Sequence, residues 1–365
     1  DILLAKMEKY GIRGLPLKWF SNYLTNRHQY VSIDSTDSSY QTMICGVPQG
    51  SSLGPLLFLI YINDITNCSD KLSFRIFADD TNIFASSAKA IELETIVNQD
   101  LLKVEEWCDI NKLSLNFKKT NYMIIKSAKK KLPNPINLKL TNQDGSSYLL
   151  EKKDHIKYLG VFLDDTLSWK YQISHICSRM SRNAGILLKL RSYLPLKQLK
   201  QLYYSLIYPY ISYAIISWGS AYTSHLKRIQ TKQNHIVRLM FFAILFGENT
   251  ESAGPLLSLL ELLSVENIYK LQVLKFSHKW HKNQLPSIFE QHFRYASDVH
   301  KYNTRYASKA NFYKPRYRTN IGKQTTKAMA IDIWQHLPIE LKNASSYNFS
   351  KKVKKYLLTK QFHSQ

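Results

Sequence analysis

The 365-residue chain is 44% hydrophobic and 13% aromatic, enough to bury a sizeable core in two or three domains. Its net charge of +23 is uneven: residues 1–125 carry 12 Lys and Arg against 14 Asp and Glu, whereas residues 126–365 carry 38 against 13. With 24 tyrosines in the chain, that imbalance points to nucleic acid, cations for phosphates and rings for stacking, over a merely basic solvated surface.

Ile2, Leu3, Met7, Tyr10 and Ile12 recur at roughly helical spacing, and Gly11 and Gly14 end that helix. Residues 15–27 read as a second helix with Pro16 near its start. Strands are expected over 29–34 and 39–47, around a polar turn. A loop, PQGSSLGP (48–55), then opens an apolar helix; Gly50 and Gly54 let a ligand approach the backbone, and Ser51 or Ser52 can cap the helix. FRIFADDTNIFAS (74–86) reads as strand–turn–strand. Residues 90–113 form an amphipathic helix with Leu93, Ile96, Val97, Leu101, Val104 and Trp107 on one face. Residues 114–126 read as a strand region and 127–137 as a basic link. Two strands, NLKLTN and SYLLEK, follow around Gln143-Asp144-Gly145, and 155–165 is a further strand.

From about 170 to 245 the pattern is helical and basic. The stretch 202–222 raises the question of a membrane span, but Pro209 and six tyrosines favour buried helices broken near the proline, and no membrane is expected. Residues 256–280 read as one long amphipathic helix. Residues 300–324 carry Lys and Arg but no acid and lack periodicity, so little structure is expected there without a partner. A short helix closes the chain. Cys45, Cys68, Cys108 and Cys177 are scattered, which disfavours a zinc knuckle or a disulfide scaffold and fits a reducing compartment. His278 and His281 lack a plausible third ligand and read as surface residues.

Asp79 and Asp80 stand side by side in an apolar, β-prone run. Adjacent strand residues face opposite sides, so both serve one site only if a tight turn brings them to one rim. Clustered carboxylates repel unless a cation lies between them, and Mg²⁺ is the usual hard, oxygen-liking ion. Two such ions are the arrangement that activates an attacking oxygen and stabilises a leaving pyrophosphate. Asp is also common in turns, and the pair alone favours that ordinary reading.

The order GVPQGSSLGPLLFLIYINDI, then FADD, changes the balance. It resembles the palm of reverse transcriptases, in particular those of non-LTR (LINE-like, Jockey-like) retrotransposons. GVPQGS…GP is similar to motif B and FADD to motif C, with Phe77 where Tyr is commoner. NKLSLNFKKT (111–120) is similar to motif D and KYLGVFLDD (157–165) to motif E, the primer grip. The PRYRTNIGKQ…IWQHLP…F tail also resembles the C-terminal region of these elements, so the resemblance covers nearly the whole chain.

The resemblance implies an α+β fold. A partial palm, an antiparallel sheet with packed helices, would occupy 1–165, a helical thumb-like domain 166–247, and a basic region of mixed helix and irregular structure 248–365. Asp79 and Asp80 would be catalytic, metal-binding acids. Gln49, Gly50 and Phe77 would line the incoming nucleotide and template, and Lys119 (or Lys118) the triphosphate, although a solvated strand-edge lysine explains it equally well. Leu159 and Gly160 would support the primer end. The cofactor would be two Mg²⁺ ions, with Mn²⁺ possible. The partners would be an RNA template, a DNA primer and deoxynucleoside triphosphates, with nuclear and cytoplasmic work and no secretion.

The family also uses a third carboxylate, on a palm strand before motif B, and basic fingers earlier still. The chain begins on residues similar to the segment just after that strand, so the expectation is an N-terminally truncated fragment that does not polymerise alone. Asp1, Asp34 and Asp37 are not candidates for the third acid. Asp164-Asp165 follows a strand and precedes a helix, and is read as a cap. The alternative function is a non-catalytic, reverse-transcriptase-derived binding relic or retained host protein.

Overall fold

In the computed structural model, the residues described are 1–365 apart from 45, 48–49, 128, 133–134, 142–144, 242–252, 300–301, 303 and 364–365. They divide into two compact units: residues 1–123 with 127–153, and residues 124–126 with 154–365.

The first unit opens with helices α1 (Ile2–Lys9) and α2 (Leu15–Leu24). Strand β1 (Arg27–Gln29) pairs antiparallel with β4 (Gln41–Met43), and a smaller hairpin of β2 (Ser32–Ile33) and β3 (Thr36–Asp37) lies between them. The two strands expected over 29–34 and 39–47 are each split, and the four pieces form nested hairpins. Asp34 and Ser35 both adopt left-handed backbone (φ 46° and 62°), the geometry of a tight two-residue hairpin turn, beside the expected polar turn.

Helix α3 (Gly54–Ile62) follows, then a 3₁₀ turn over Asn63–Cys68 and the hairpin of β5 (Ser73–Phe77) and β6 (Asp80–Phe84). The long helix α4 (Ala90–Ile110) buries Val97, Leu101, Val104 and Cys108. Its buried Asp100 accepts from Ser69 Oγ at 2.6 Å, and Ser69 Oγ in turn accepts the amides of Lys71 and Leu72. That relay fixes where the chain enters β5. The Ser69 hydroxyl, with Lys103, holds the Asp100 carboxyl below its ordinary range.

Lys6 joins α1 to this body. Its ammonium donates to the Tyr61 carbonyl at 2.6 Å and pairs with Asp64 at 2.7 Å, over the rings of Tyr61 and Trp107. Residues 114–126 are mostly not strand. Asn116 Oδ1 accepts the Lys119 amide and the Asn116 carbonyl accepts that of Thr120, closing a turn, and the strand within this stretch is the short β7 (Asn121–Tyr122). Strands β8 (Lys139–Thr141) and β9 (Ser147–Leu149) form the expected hairpin, and β10 (Glu151–Lys152) pairs parallel with β7. All sheets among the described residues have two strands.

The second unit starts with a hairpin of β11 (His155–Tyr158) and β12 (Val161–Asp164). His155 stacks on Tyr171, and the Phe162 amide donates to Gln172 Oε1, so the hairpin rests on helix α5 (Lys170–Leu190). Helices α6 (Leu196–Leu206), α7 (Tyr208–Ser212), α8 (Ile215–Trp218) and α9 (Thr223–Phe241) follow. Residues 202–222 are short buried helices broken around Pro209, and among the described residues no helix is long and apolar enough to cross a membrane.

Helices α10 (Ala253–Leu259) and α11 (Val265–His281) replace the single helix expected over 256–280. Glu261 turns left-handed (φ 52°), and Ser264 Oγ accepts the Asn267 amide as an N-cap, a local signal that overrode the apolar run. The chain closes with α12 (Ala296–Val299), α13 (Asn320–Lys323), α14 (Thr326–Gln335), α15 (Ile339–Lys342) and α16 (Ser346–His363). One apolar cluster, including Met180, Tyr203, Trp218, Val273, Trp334 and Val353, spans these helices.

Two expectations are corrected here. The basic segment at 302–324 has tertiary anchors: Phe312 is 1% exposed, stacked between Phe293 and Trp334 at 4.5 and 5.1 Å. A single ring inserted from an aperiodic segment leaves no periodic trace. His278 is also buried rather than on the surface, with Nε2 at 2.9 Å from the Ala344 carbonyl and its ring stacked on Phe349. His281 lies against Tyr295 Oη. No group of three metal-ligating side chains gathers among the described residues.

Candidate functional site

The FADD segment is a hairpin tip. Phe77 pairs with Asp80, so Ala78 and Asp79 form a two-residue turn between β5 and β6. Directly opposed residues share a face. Phe74 and Ile83, and Ile76 and Thr81, share the face that carries the buried Phe74. Arg75, Phe77, Asp80 and Asn82 share the other. Asp79, in the turn itself, is released from the strand alternation. Ala78 turns at φ 51°, a left-handed conformation that disfavours any side chain.

Both carboxylates are exposed and make no hydrogen bond or ion pair with any described residue. Phe77, beside them, is 62% exposed. A large exposed ring thus lies next to two exposed acids at a left-handed turn. The donor chemistry suits a hard divalent ion, but two carboxylates are an incomplete ligand set, and no third acidic, His or Cys group joins them among the described residues.

Gly50 lies on the loop before α3, exposed, at φ 80°, with open space where a side chain would project. Left-handed backbone there requires glycine or strain. Ser51 Oγ accepts the Gly54 amide at 2.9 Å, the N-cap position itself is Leu53, which makes no side-chain cap bond, and Pro55 sits in the first turn of α3. The Arg27 guanidinium donates to the Gly46 carbonyl and ties the other end of the loop to β1. Gln49 lies outside the described residues. Lys119 is exposed on the Asn116–Thr120 turn rather than on a strand edge. No hydrogen bond or ion pair among the described residues links Gly50 or Lys119 to the acids.

In the second unit, Leu159 (φ 45°) and Gly160 (φ 81°) are the turn of the β11–β12 hairpin. Sequence reasoning missed their anchor. Tyr213, between α7 and α8, donates its hydroxyl to the Leu159 carbonyl at 2.7 Å, and its ring would lie 3.3 Å from a Cβ at Gly160. Only the crowding of tyrosines in 202–222 hinted at it.

Asp164 is a structural acid. It is fully buried, and its two oxygens accept the Thr166 hydroxyl and the Thr166, Ser168 and Trp169 amides at 2.7–3.3 Å, fixing the turn into α5. Burial pushes its carboxyl up, but those donors outweigh burial and hold it below its ordinary range.

Residues 166–247 contain no Asp or Glu. Arg228 of α9 donates to Ser174 Oγ of α5, Lys232 lies one turn further along α9, and burial together with Arg179 and Lys157 holds the His175 imidazole low. Helices α5 and α9 accordingly carry Lys and Arg and no acid.

The reverse transcriptase (RNA-dependent DNA polymerase) family model matches residues 1–163. The chain is 29% identical over 246 residues to the probable RNA-directed DNA polymerase from transposon X-element of Drosophila melanogaster, covering 65% of this chain and 26% of that protein. It is 28% identical over 255 residues to the corresponding protein from transposon BS of the same species, covering 65% and 27%. It is 28% identical over 218 residues to the RNA-directed DNA polymerase from mobile element jockey of Drosophila funebris, covering 57% and 23%. The chain therefore spans about a quarter of the length of these curated relatives. Residues 1–163, which contain the FADD hairpin, are thus similar to the reverse transcriptase family.

Proposed function

We propose that the chain is part of an RNA-directed DNA polymerase encoded by a non-LTR retrotransposon, and that Asp79 and Asp80 are two of its metal-binding acids. The observation that carries this is the hairpin tip: two exposed carboxylates with no hydrogen-bond or ion-pair partner among the described residues, beside an exposed Phe77, in a chain whose residues 1–163 match the family. Mg²⁺ is the ion of choice for such oxygen donors, with Mn²⁺ as a substitute. When bound, two ions would activate the primer 3′-oxygen and stabilise the departing pyrophosphate.

The chain's own residues hold and orient. Gly50 offers an open backbone for close approach of the nucleotide and template, with Gln49 next to it in sequence and Phe77 contributed by the hairpin. Lys119 supplies a cation for the triphosphate. Leu159 and Gly160, braced by Tyr213, support the primer end as the grip. The acid-free helices α5–α9 act as the thumb and hold an RNA–DNA hybrid by its phosphates, and the packed helices α10–α16 complete that basic body. Leu56 and Leu59 of α3 are half-exposed although the helix is apolar all round, which fits a palm that carries further elements in the longer protein.

The test is primer extension on an RNA template by the full-length protein. Asp79→Asn and Asp80→Asn should each abolish Mg²⁺-dependent synthesis while hybrid binding by the 365-residue chain persists and weakens steeply with salt. Full synthesis by either variant overturns the assignment. Hybrid binding without any synthesis by the wild-type protein selects the non-catalytic relic.

A further inference from the structure

A pocket lies in the second unit, remote in sequence from FADD. Helices α6, α7, α11 and α16 enclose a cavity of about 180 Å³ lined by Tyr204, Tyr208, Gln272, Lys275, Ser350 and Lys354, over an apolar floor. No Asp or Glu lines it. The Lys354 ammonium donates to Tyr204 Oη at 3.2 Å and lies 5.6 Å from the centre of that ring. Gln272 is hydrogen-bonded to Tyr208. Lys275 is half-buried and makes no hydrogen bond or ion pair with any described residue.

Two partly buried cations in one cavity repel each other, and neither has a carboxylate to offset that. Partial burial of an ammonium without a counter-charge is unfavourable unless an anion enters. The remaining polar groups are hydroxyls and an amide, which donate readily to an oxyanion. From this geometry we propose that the pocket binds one phosphate group, held between Lys275 and Lys354 with the Tyr208 and Ser350 hydroxyls as further donors. The phosphate can be a link in a polynucleotide backbone or a free phosphate. The site stands independently of catalysis at Asp79 and Asp80.

The 365-residue chain is titrated with inorganic phosphate by calorimetry, and with a short oligodeoxythymidylate by fluorescence anisotropy at several salt concentrations. Lys275→Gln and Lys354→Gln are compared with Lys279→Gln, an exposed lysine on the same helix. Far-UV circular dichroism confirms that each variant keeps its fold. The expected result is saturable phosphate binding, weakened about tenfold or more by either pocket substitution and unchanged by Lys279→Gln. If the source is a polynucleotide, Lys275→Gln also weakens the oligonucleotide and lowers the slope of log affinity against log salt by about 0.7. If oligonucleotide binding ignores the pocket substitutions while phosphate binding follows them, the site takes free phosphate. No saturable phosphate binding, or equal losses in all three variants, overturns the proposal.

Discussion

The two acid pairs, Asp79-Asp80 and Asp164-Asp165, invite a direct comparison by substitution. Asp164→Asn keeps the side-chain volume but replaces one oxygen with an NH₂ group. Whichever oxygen is lost, an amide donor of Ser168 or Trp169, at 2.9 or 2.7 Å, faces another donor in a fully buried site. Losing one charge-assisted hydrogen bond costs about 1.5–3 kcal/mol, and stranding a buried N–H adds about 1–3. The expected destabilisation is about 3–5 kcal/mol. Urea unfolding followed by tryptophan fluorescence reads it well, because Trp169, Trp218, Trp280 and Trp334 all lie in the second unit. The midpoint should fall by about 1–2 M. The pH dependence gives an independent check. The Asp164 carboxyl is held low in the folded state, so its contribution is complete above the unfolded value of about 3.9. It is lost as pH falls through the lower folded value. Wild type should show that acid-side step and Asp164→Asn should not. Asp79→Asn and Asp80→Asn remove carboxylates without partners and should change stability by no more than about 0.5 kcal/mol. An Asp164→Asn variant as stable as Asp80→Asn, with an unchanged acid limb, would refute the assignment of Asp164 to structure.

Three further outcomes follow from particular contacts. Ala78→Gly should slow hydrogen exchange of the β5–β6 amides, because relief of left-handed backbone, about 1–2 kcal/mol, exceeds the added chain entropy of about 0.5–1. Lys6→Met should destabilise the first unit by about 2–4 kcal/mol, read by its thermal transition, since it leaves Asp64 and the Tyr61 carbonyl without their shared donor. Lys342 is fully buried on the Lys309 carbonyl and Asn311, and burial lowers its ammonium from 10.5 to about 8. Between those values the unfolded chain binds more protons than the folded one, so stability should rise as pH climbs from about 8 to 10.5, and Lys342→Met should abolish that rise.

Much of the first unit was legible in sequence because its signals are local. Helix α4 announces itself by period, the β8–β9 hairpin by its turn residues, and α3 by Ser51 and Pro55. The departures have physical causes. Residues 114–120 have strand-like composition, yet Asn116 competes for the backbone with its own side chain and makes a turn. The long helix expected over 256–280 fails at Ser264, where a cap outweighs continuity of apolar residues.

The sequence by itself carried the resemblance to reverse transcriptases, through an ordered set of motifs, and it determined where two acids sit on a hairpin, because a two-residue turn is a local event. Only tertiary structure decided what each residue near those motifs touches. Asp79 and Asp164 are the same residue type in similar strand-end contexts, yet one is exposed without a partner and the other is buried under four donors. Tyr213 braces Leu159 across more than fifty residues, and Phe312 anchors an aperiodic basic segment on Trp334. Such contacts depend on which surfaces meet when helices pack, and packing at that range leaves no period in the chain.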